Sequence, residues 1–360
     1  MSGIGERLRL LVAAGLVLAA ALIAGCGGGD DESDLAPRPA EEGTVFGFND
    51  VVVPDSPGNE LLAEIGATFV RVALNWATVE PNQGTRNFGV YDRIRDELAS
   101  VGLRPLWVVT GSPCWASQLR CKAPRPSLAP REDRFDDFAA FAATVAQRYP
   151  EAIGIEVWNE PNIPNFWRPE PNIGQYRELL AKTADAVHES GSELPVAMAG
   201  PSPTTREQVE EDPQKIEFVE FIEGVMGGPG APDVDAIATH PYSLLQRGKD
   251  PIDASIRLFD EAAAAAEEAA PEKPVWVTEV GLTTAGQFKV SPEVQAEGLA
   301  EILRYLKDRD VPIVSVHRFF DDADPEFRFE AGFGVVESDR ATMKLSFCAV
   351  AETFGTPCET

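Results

Sequence analysis

From Val45 onward, short runs rich in β-branched and apolar residues alternate with longer stretches in which apolar residues recur every three or four positions. The short runs cover residues 45–49, 68–74, 104–110, 153–158, 196–200, 234–240, 275–279 and 313–320, and they predict buried strands. The longer stretches predict helices over 61–65, 90–98, 135–149, 176–188, 216–225, 254–269, 293–306 and 341–353. Each helix has one apolar stripe to bury. Val294, Leu299, Ile302, Leu303 and Leu306 trace such a stripe clearly. The run 261–270 is helix-forming composition and nothing more.

Eight strand-then-helix units match a single (β/α)8 barrel, the TIM barrel, enlarged by insertions. A doubly wound open sheet is the alternative, and it normally uses fewer units. No Gly-rich phosphate loop follows any strand, which counts against nucleotide-binding versions of that sheet. No linker rich in Gly, Pro or Ser interrupts residues 43–360, so they read as one domain.

Ahead of that domain lies the one long apolar run, Leu10 to Ile23, preceded by Arg7 and Arg9. Positive charge followed by an apolar core has the make-up of an export signal over residues 1–26. It ends Ile23-Ala24-Gly25-Cys26, which resembles the lipobox of bacterial lipoproteins. That resemblance implies that Cys26 is diacylated and becomes the first mature residue. A plain signal peptide or an uncleaved anchor is the alternative. Residues 27–42, a glycine run followed by an acidic, Pro-containing stretch, read as a flexible tether. Later apolar stretches are too short to span a bilayer, which excludes a polytopic membrane protein. The protein is therefore expected outside the cytoplasm, touching a membrane only through its N-terminal lipid, with monomer as the default state.

Composition narrows the partners. Lys and Arg number 31 against 58 Asp and Glu, a formal charge of −27, which argues against nucleic acid. Apolar residues make up 44 %, enough for a core and against global disorder. Apart from Cys26 there are Cys114, Cys121, Cys348 and Cys358, an even number suited to an oxidising compartment. Three pairings are open, and the local one, Cys114 with Cys121 and Cys348 with Cys358, closes the short loops. Zinc competes as a reading, but no CxxC pair and no clustered His supports it.

In a barrel, chemistry belongs at the carboxyl ends of the strands. The fourth run ends Trp158-Asn159-Glu160-Pro161, the sixth Thr239-His240-Pro241-Tyr242, and the seventh Thr278-Glu279. Glu160 and Glu279 thus face one mouth from strands three positions apart. Two carboxyls across a cleft are the machinery of glycoside hydrolysis, one protonated and the other ionised. Glu156, deeper on the fourth strand, reads instead as a buried partner of Arg71. His240 is read as lining the mouth and binding a sugar hydroxyl, with a satisfied histidine at a strand end as the alternative. His317 is left open between site and structure, and His188 falls on a polar helix face.

Trp158-Asn159-Glu160-Pro161 together with Thr278-Glu279 resembles the clan A glycoside hydrolases, closest to families 39 and 5. Those are retaining (β/α)8 enzymes, and the resemblance covers nearly the whole chain beyond the tether. It implies Glu160 as acid/base and Glu279 as nucleophile. Asn159 would bond the sugar 2-hydroxyl, Tyr242 would orient Glu279, and Arg71 would lie beneath it. No cofactor or metal is implied. The family's Trp at the end of strand eight is absent, since the chain reads Val316-His317-Arg318-Phe319-Phe320, so Phe319 or Phe320 is expected as the platform under the sugar. Trp76, Trp115 and Trp167 follow strands two, three and four as further candidate platforms, with the Cys114–Cys121 loop stiffening one wall. Asp322, Asp324 and Glu326 have spacing that suits calcium, but read more simply as a solvated acidic loop. The expected activity is cleavage of an extracellular oligo- or polysaccharide; transfer to a sugar acceptor, or a non-hydrolytic glycan-binding lipoprotein, are the alternatives.

Overall fold

The computed structural model describes residues 43–49, 52, 54–119, 121, 127–242, 250–322 and 331–358. Cys26, the export signal and the tether lie outside the described residues, as do Asp324 and Glu326. The described chain runs β1 (Val45–Asn49), α1 (Glu60–Glu64), β2 (Phe69–Asn75), α2 (Trp76–Val79), α3 (Gly89–Ser100), β3 (Arg104–Thr110), α4 (Phe135–Arg148) and β4 (Gly154–Val157). It continues α5 (Ile173–Glu189), β5 (Val196–Met198), α6 (Arg206–Glu211), α7 (Phe218–Met226), β6 (Ala236–Thr239), α8 (Pro251–Ala269), β7 (Val275–Val280), α9 (Pro292–Asp308), β8 (Ile313–His317) and α10 (Leu345–Phe354). The eight strands pair in parallel and in sequence order, and β1 pairs with β8 to close a barrel. This is the expected (β/α)8 architecture. Among the described residues, no helix is long and apolar enough to cross a membrane.

Two apolar layers follow from strand alternation. One cluster takes a residue from the level of every strand: Val45, Phe69, Leu106, Ile153, Ala197, Ala236 with Ala238, Trp276 and Ile313. Because the alternate strand positions, such as Phe46, Val70 and Val314, join the larger core with the helices, this smaller cluster is the filling of the barrel itself. Further along the same strand faces stand Asn49, Arg71, His240, Thr278 and His317, joined by Glu156 from β4. Polar groups are thus stacked on an apolar plug.

Helix ends are fixed locally. Asn172, Asp250 and Ser291 accept backbone N–H groups at the starts of α5, α8 and α9, and Pro occupies the first turn of α8 and α9. In α9, Leu299, Ile302, Leu303 and Leu306 are buried as the stripe predicts, but Val294 is exposed. It lies in the first turn but off the buried face, which there is made by its neighbours Gln295 and Ala296. The helices α2 and α6 were not foreseen, being too short to show a period. The eighth strand stops at His317, so Phe319 and Phe320 follow it.

Both local disulfides form, Cys114–Cys121 and Cys348–Cys358, with Cα separations of 5.3 and 5.2 Å.

Candidate active site

Arg71 organises the centre. It is buried on β2, and all five of its N–H donors are used. Nε and Nη2 donate to Glu156 at 2.6 and 3.1 Å; Nη1 donates to Asn49 and Glu279 at 3.0 and 2.5 Å; Nη2 also donates to Asn159 at 2.8 Å. Because arginine can only donate, the Oδ1 atoms of Asn49 and Asn159 must face it. The amide of Asn49 then donates to His317 Nδ1 at 2.8 Å, and the amide of Asn159 is turned away from the guanidinium.

Glu160 follows β4 in a turn where Trp158 (φ 78°) and Glu160 (φ 41°) take left-handed backbone conformations unusual for such residues. Glu160 N–H donates to the carbonyl of Gly200 at 3.2 Å, which anchors the turn. His240, fully buried, bonds Glu160 Oε1 through Nδ1 at 3.2 Å and Thr278 Oγ1 through Nε2 at 3.0 Å. Gly200 leaves it room: a Cβ there would lie 2.4 Å from the imidazole.

Glu279 and Thr278 are adjacent, yet both reach this network. The β7–β8 register shifts between Val277 and Val280, and such an irregularity brings two successive residues to one face. Glu279 receives Arg71 on Oε1 and the Tyr242 hydroxyl on Oε2 at 2.8 Å. His317 Nδ1 lies 3.8 Å from Oε2. Phe333 stands edge-on to both Tyr242 and His317.

The two carboxyls are shifted in opposite directions from the ordinary value. Burial raises Glu160 above the usual carboxylate range, and the charge of Glu279 adds to the rise, although the His240 hydrogen bond and charge oppose it. Burial acts the same way on Glu279, but the charges of His240 and Arg71 and the Tyr242 hydroxyl outweigh it and hold this carboxyl at about 2. Burial pushes His240 down, yet the carboxylates of Glu279 and Glu160 bring it above its ordinary value. Glu160 and Glu279 remain 13 % and 12 % exposed, enough to meet a ligand.

The structure therefore brings together Arg71, Asn159, Glu160, His240, Tyr242 and Glu279, with Glu156 as the buried partner of Arg71. Four expectations need correction. His240 has both nitrogens engaged by protein groups, so it acts on Glu160 rather than on a sugar hydroxyl. Trp76 is fully buried among Phe138, Phe141 and Trp115, its indole N–H on Glu80. Trp167 is sealed between Trp158 and Tyr176. Phe319 is enclosed by Phe48, Phe320 and Phe347 and offers no platform. Of the three tryptophans, Trp115 alone stays partly exposed; its indole donates to the Glu80 carbonyl at 3.1 Å. Asp322 pairs with Arg318 at 2.9 Å, and His188 is half-exposed against Asp235.

Asn49 was not singled out, although it ends its apolar run with a polar residue, the same signal that marks Glu160 and Glu279; His317, left open between site and structure, joins the network as the last residue of β8.

Searches for a matching family model and for a curated relative find none. Solved structures do match. A family 39 glycoside hydrolase from Bacteroides cellulosilyticus WH2 aligns at 22 % identity and TM-score 0.60, covering 89 % of this chain and 65 % of that one. An exo-β-1,4-mannosidase from Opitutaceae bacterium strain TAV5 aligns at 19 % and 0.62, covering 90 % and 61 %. A monomeric β-xylosidase from Caulobacter crescentus CB15 aligns at 20 % and 0.60, covering 86 % and 68 %. The chain spans less than two thirds of the length of the first two. At these identities the likeness is one of fold.

Proposed function

We propose that the protein is a retaining glycoside hydrolase acting outside the cytoplasm, held to a membrane by lipid on Cys26. The observation that carries this reading is a pair of carboxyls at the ends of β4 and β7 in opposed surroundings: Glu160, bonded to His240, is pushed up by burial, and Glu279, bonded to Arg71 and the Tyr242 hydroxyl, is held low by the charges of His240 and Arg71. Neighbours of the same fold that are named as glycosidases support it.

In the first step Glu279 attacks the anomeric carbon as the C–O bond breaks, and the bonding pair leaves with an oxygen that takes the Glu160 proton. In the second, ionised Glu160 removes a proton from water, whose oxygen displaces Glu279 and releases the sugar with its configuration retained. Asn159, held through Oδ1 by Arg71, has its amide to donate to the 2-hydroxyl. The reaction calls for carboxyls about 5–5.5 Å apart.

The test is a panel of aryl β-glycosides and polysaccharides assayed with the wild type, Glu160→Gln and Glu279→Gln. Hydrolysis lost in Glu279→Gln is expected. With activated aryl leaving groups, which need little proton assistance, Glu160→Gln should still form the glycosyl-enzyme and stall there. NMR of the first-formed anomer should show retention; an inverted product would overturn the double displacement. Glycan binding without turnover across the panel would favour the binding-lipoprotein alternative.

A further inference from the structure

The hydrogen bonds around Arg71 have forced directions, and they can be followed outward to the acid. Glu156 Oε1 accepts from Arg71 Nη2 at 3.1 Å and from the Gly200 N–H at 3.0 Å, and Oε2 accepts from Arg71 Nε. Both oxygens therefore act as acceptors. Thr278 Oγ1, 3.2 Å from Glu156 Oε1, has a single proton and donates it there. Its oxygen can then only accept from His240 Nε2, 3.0 Å away on the other side. His240 must have a hydrogen on Nε2. One mobile proton is left between His240 Nδ1 and Glu160 Oε1.

We propose that Thr278 is a positioning residue: by accepting from His240 Nε2 it holds the tautomer whose Nδ1 lone pair faces Glu160, so that the acid keeps its proton until a leaving oxygen takes it. When the proton goes to that oxygen, Glu160 is left as a carboxylate opposite a lone pair. As long as the imidazole is neutral with its hydrogen on Nε2, it gives that carboxylate no hydrogen bond, so Glu160 is a stronger base toward the water of the second step than it would be opposite an Nδ1–H. The direction starts at Arg71, which also holds Glu279. One guanidinium thus orients the nucleophile directly and the acid through four intervening bonds.

The kinetic part of this inference rests on the glycosidase reading; the tautomer does not. Groups facing the His240–Glu160 pair are Glu156 on β4, 3.9 Å from Nε2, Arg71 on β2, Glu279 on β7, the Tyr242 ring, and His317 on β8 behind it. All stay in place when only the Thr278 hydroxyl is changed. Thr278→Val removes the acceptor and keeps the volume; Thr278→Ser keeps the acceptor.

In Thr278→Val the Nε2–H is buried with no acceptor, a state relieved by moving the imidazole hydrogen to Nδ1. It then donates to the Glu160 carboxylate and favours loss of the mobile proton. The basic limb of kcat/KM should therefore move down by about one pH unit, while Thr278→Ser keeps the wild-type limb. A uniform fall in activity with unmoved limbs would make Thr278 merely structural and overturn the proposal. Independently, 15N NMR of the full chain, with the His240 signal assigned by its loss in His240→Gln, reads the tautomer above the basic limb. The wild type should show Nε2–H. Finding Nδ1–H would sink the proposal, and this arm decides even if Thr278→Val fails to fold or the wild type proves inactive toward glycosides.

Discussion

Arg71 shows how one side chain couples stability to chemistry. Its five donors meet Glu156, Glu279, Asn49 and Asn159, so no replacement with fewer donors can serve all of them. Arg71→Met leaves two buried carboxylates without their cation and should lower unfolding free energy by about 3–5 kcal/mol in denaturant titration. The carboxyls act oppositely on stability. Glu279 lies at about 2, below its ordinary value of 4.5, so its contribution is present above pH 4.5 and is lost as pH falls toward 2. Glu160 is raised above 4.5, so its contribution is present below 4.5 and is lost as pH rises through the folded value. Glu160→Gln removes that loss. Its Tm relative to wild type should therefore climb between pH 4 and pH 8 in calorimetry, and a flat difference would contradict the raised value. At this scale the sequence was legible where a polar residue ends an apolar run, as with Glu160 and Glu279, whereas Arg71, inside its run, and the part played by Tyr242 were legible only through the family resemblance. It was illegible for Trp76, Trp167 and Phe319, because an aromatic residue after a strand reads alike whether its ring faces solvent or core.

Elements were recognisable when long enough to repeat. The period of α9 identifies Leu303 as buried, and Leu303→Ala should cost about 2–5 kcal/mol, whereas Val294→Ala, at the exposed first turn, should stay within about 0.5 kcal/mol. Comparable losses at both positions would mean the helix is rotated from the face described. The β7 irregularity is a different case. Alternation assigns Thr278 and Glu279 to opposite faces, and only the shifted register explains why both reach Arg71 and Glu156. A strand pattern records which residues are apolar but not where the pairing slips.

For the molecule as a whole, eight alternations were sufficient to specify the barrel, because a parallel sheet with a helix after each strand has few ways to bury both faces. Charge was equally plain. With a formal charge of −27, self-repulsion opposes the compact state, so raising ionic strength from about 0.01 M to about 0.15 M should raise Tm, and a fall would be contrary to this account. Which loops wall the cleft could not be read, since the same polar, Gly-containing stretches serve either end of a barrel.

Closure between β1 and β8 also sets when the site can exist. Asn49 and His317 meet across 268 positions of chain, and the network around Arg71 draws on strands from the first to the last. Contacts of such long range form late, after local helices have been made. On refolding from denaturant, far-UV helical signal should therefore return well before catalytic turnover. Turnover would serve as the clock of ring closure, reporting the moment at which the first and last strands find each other.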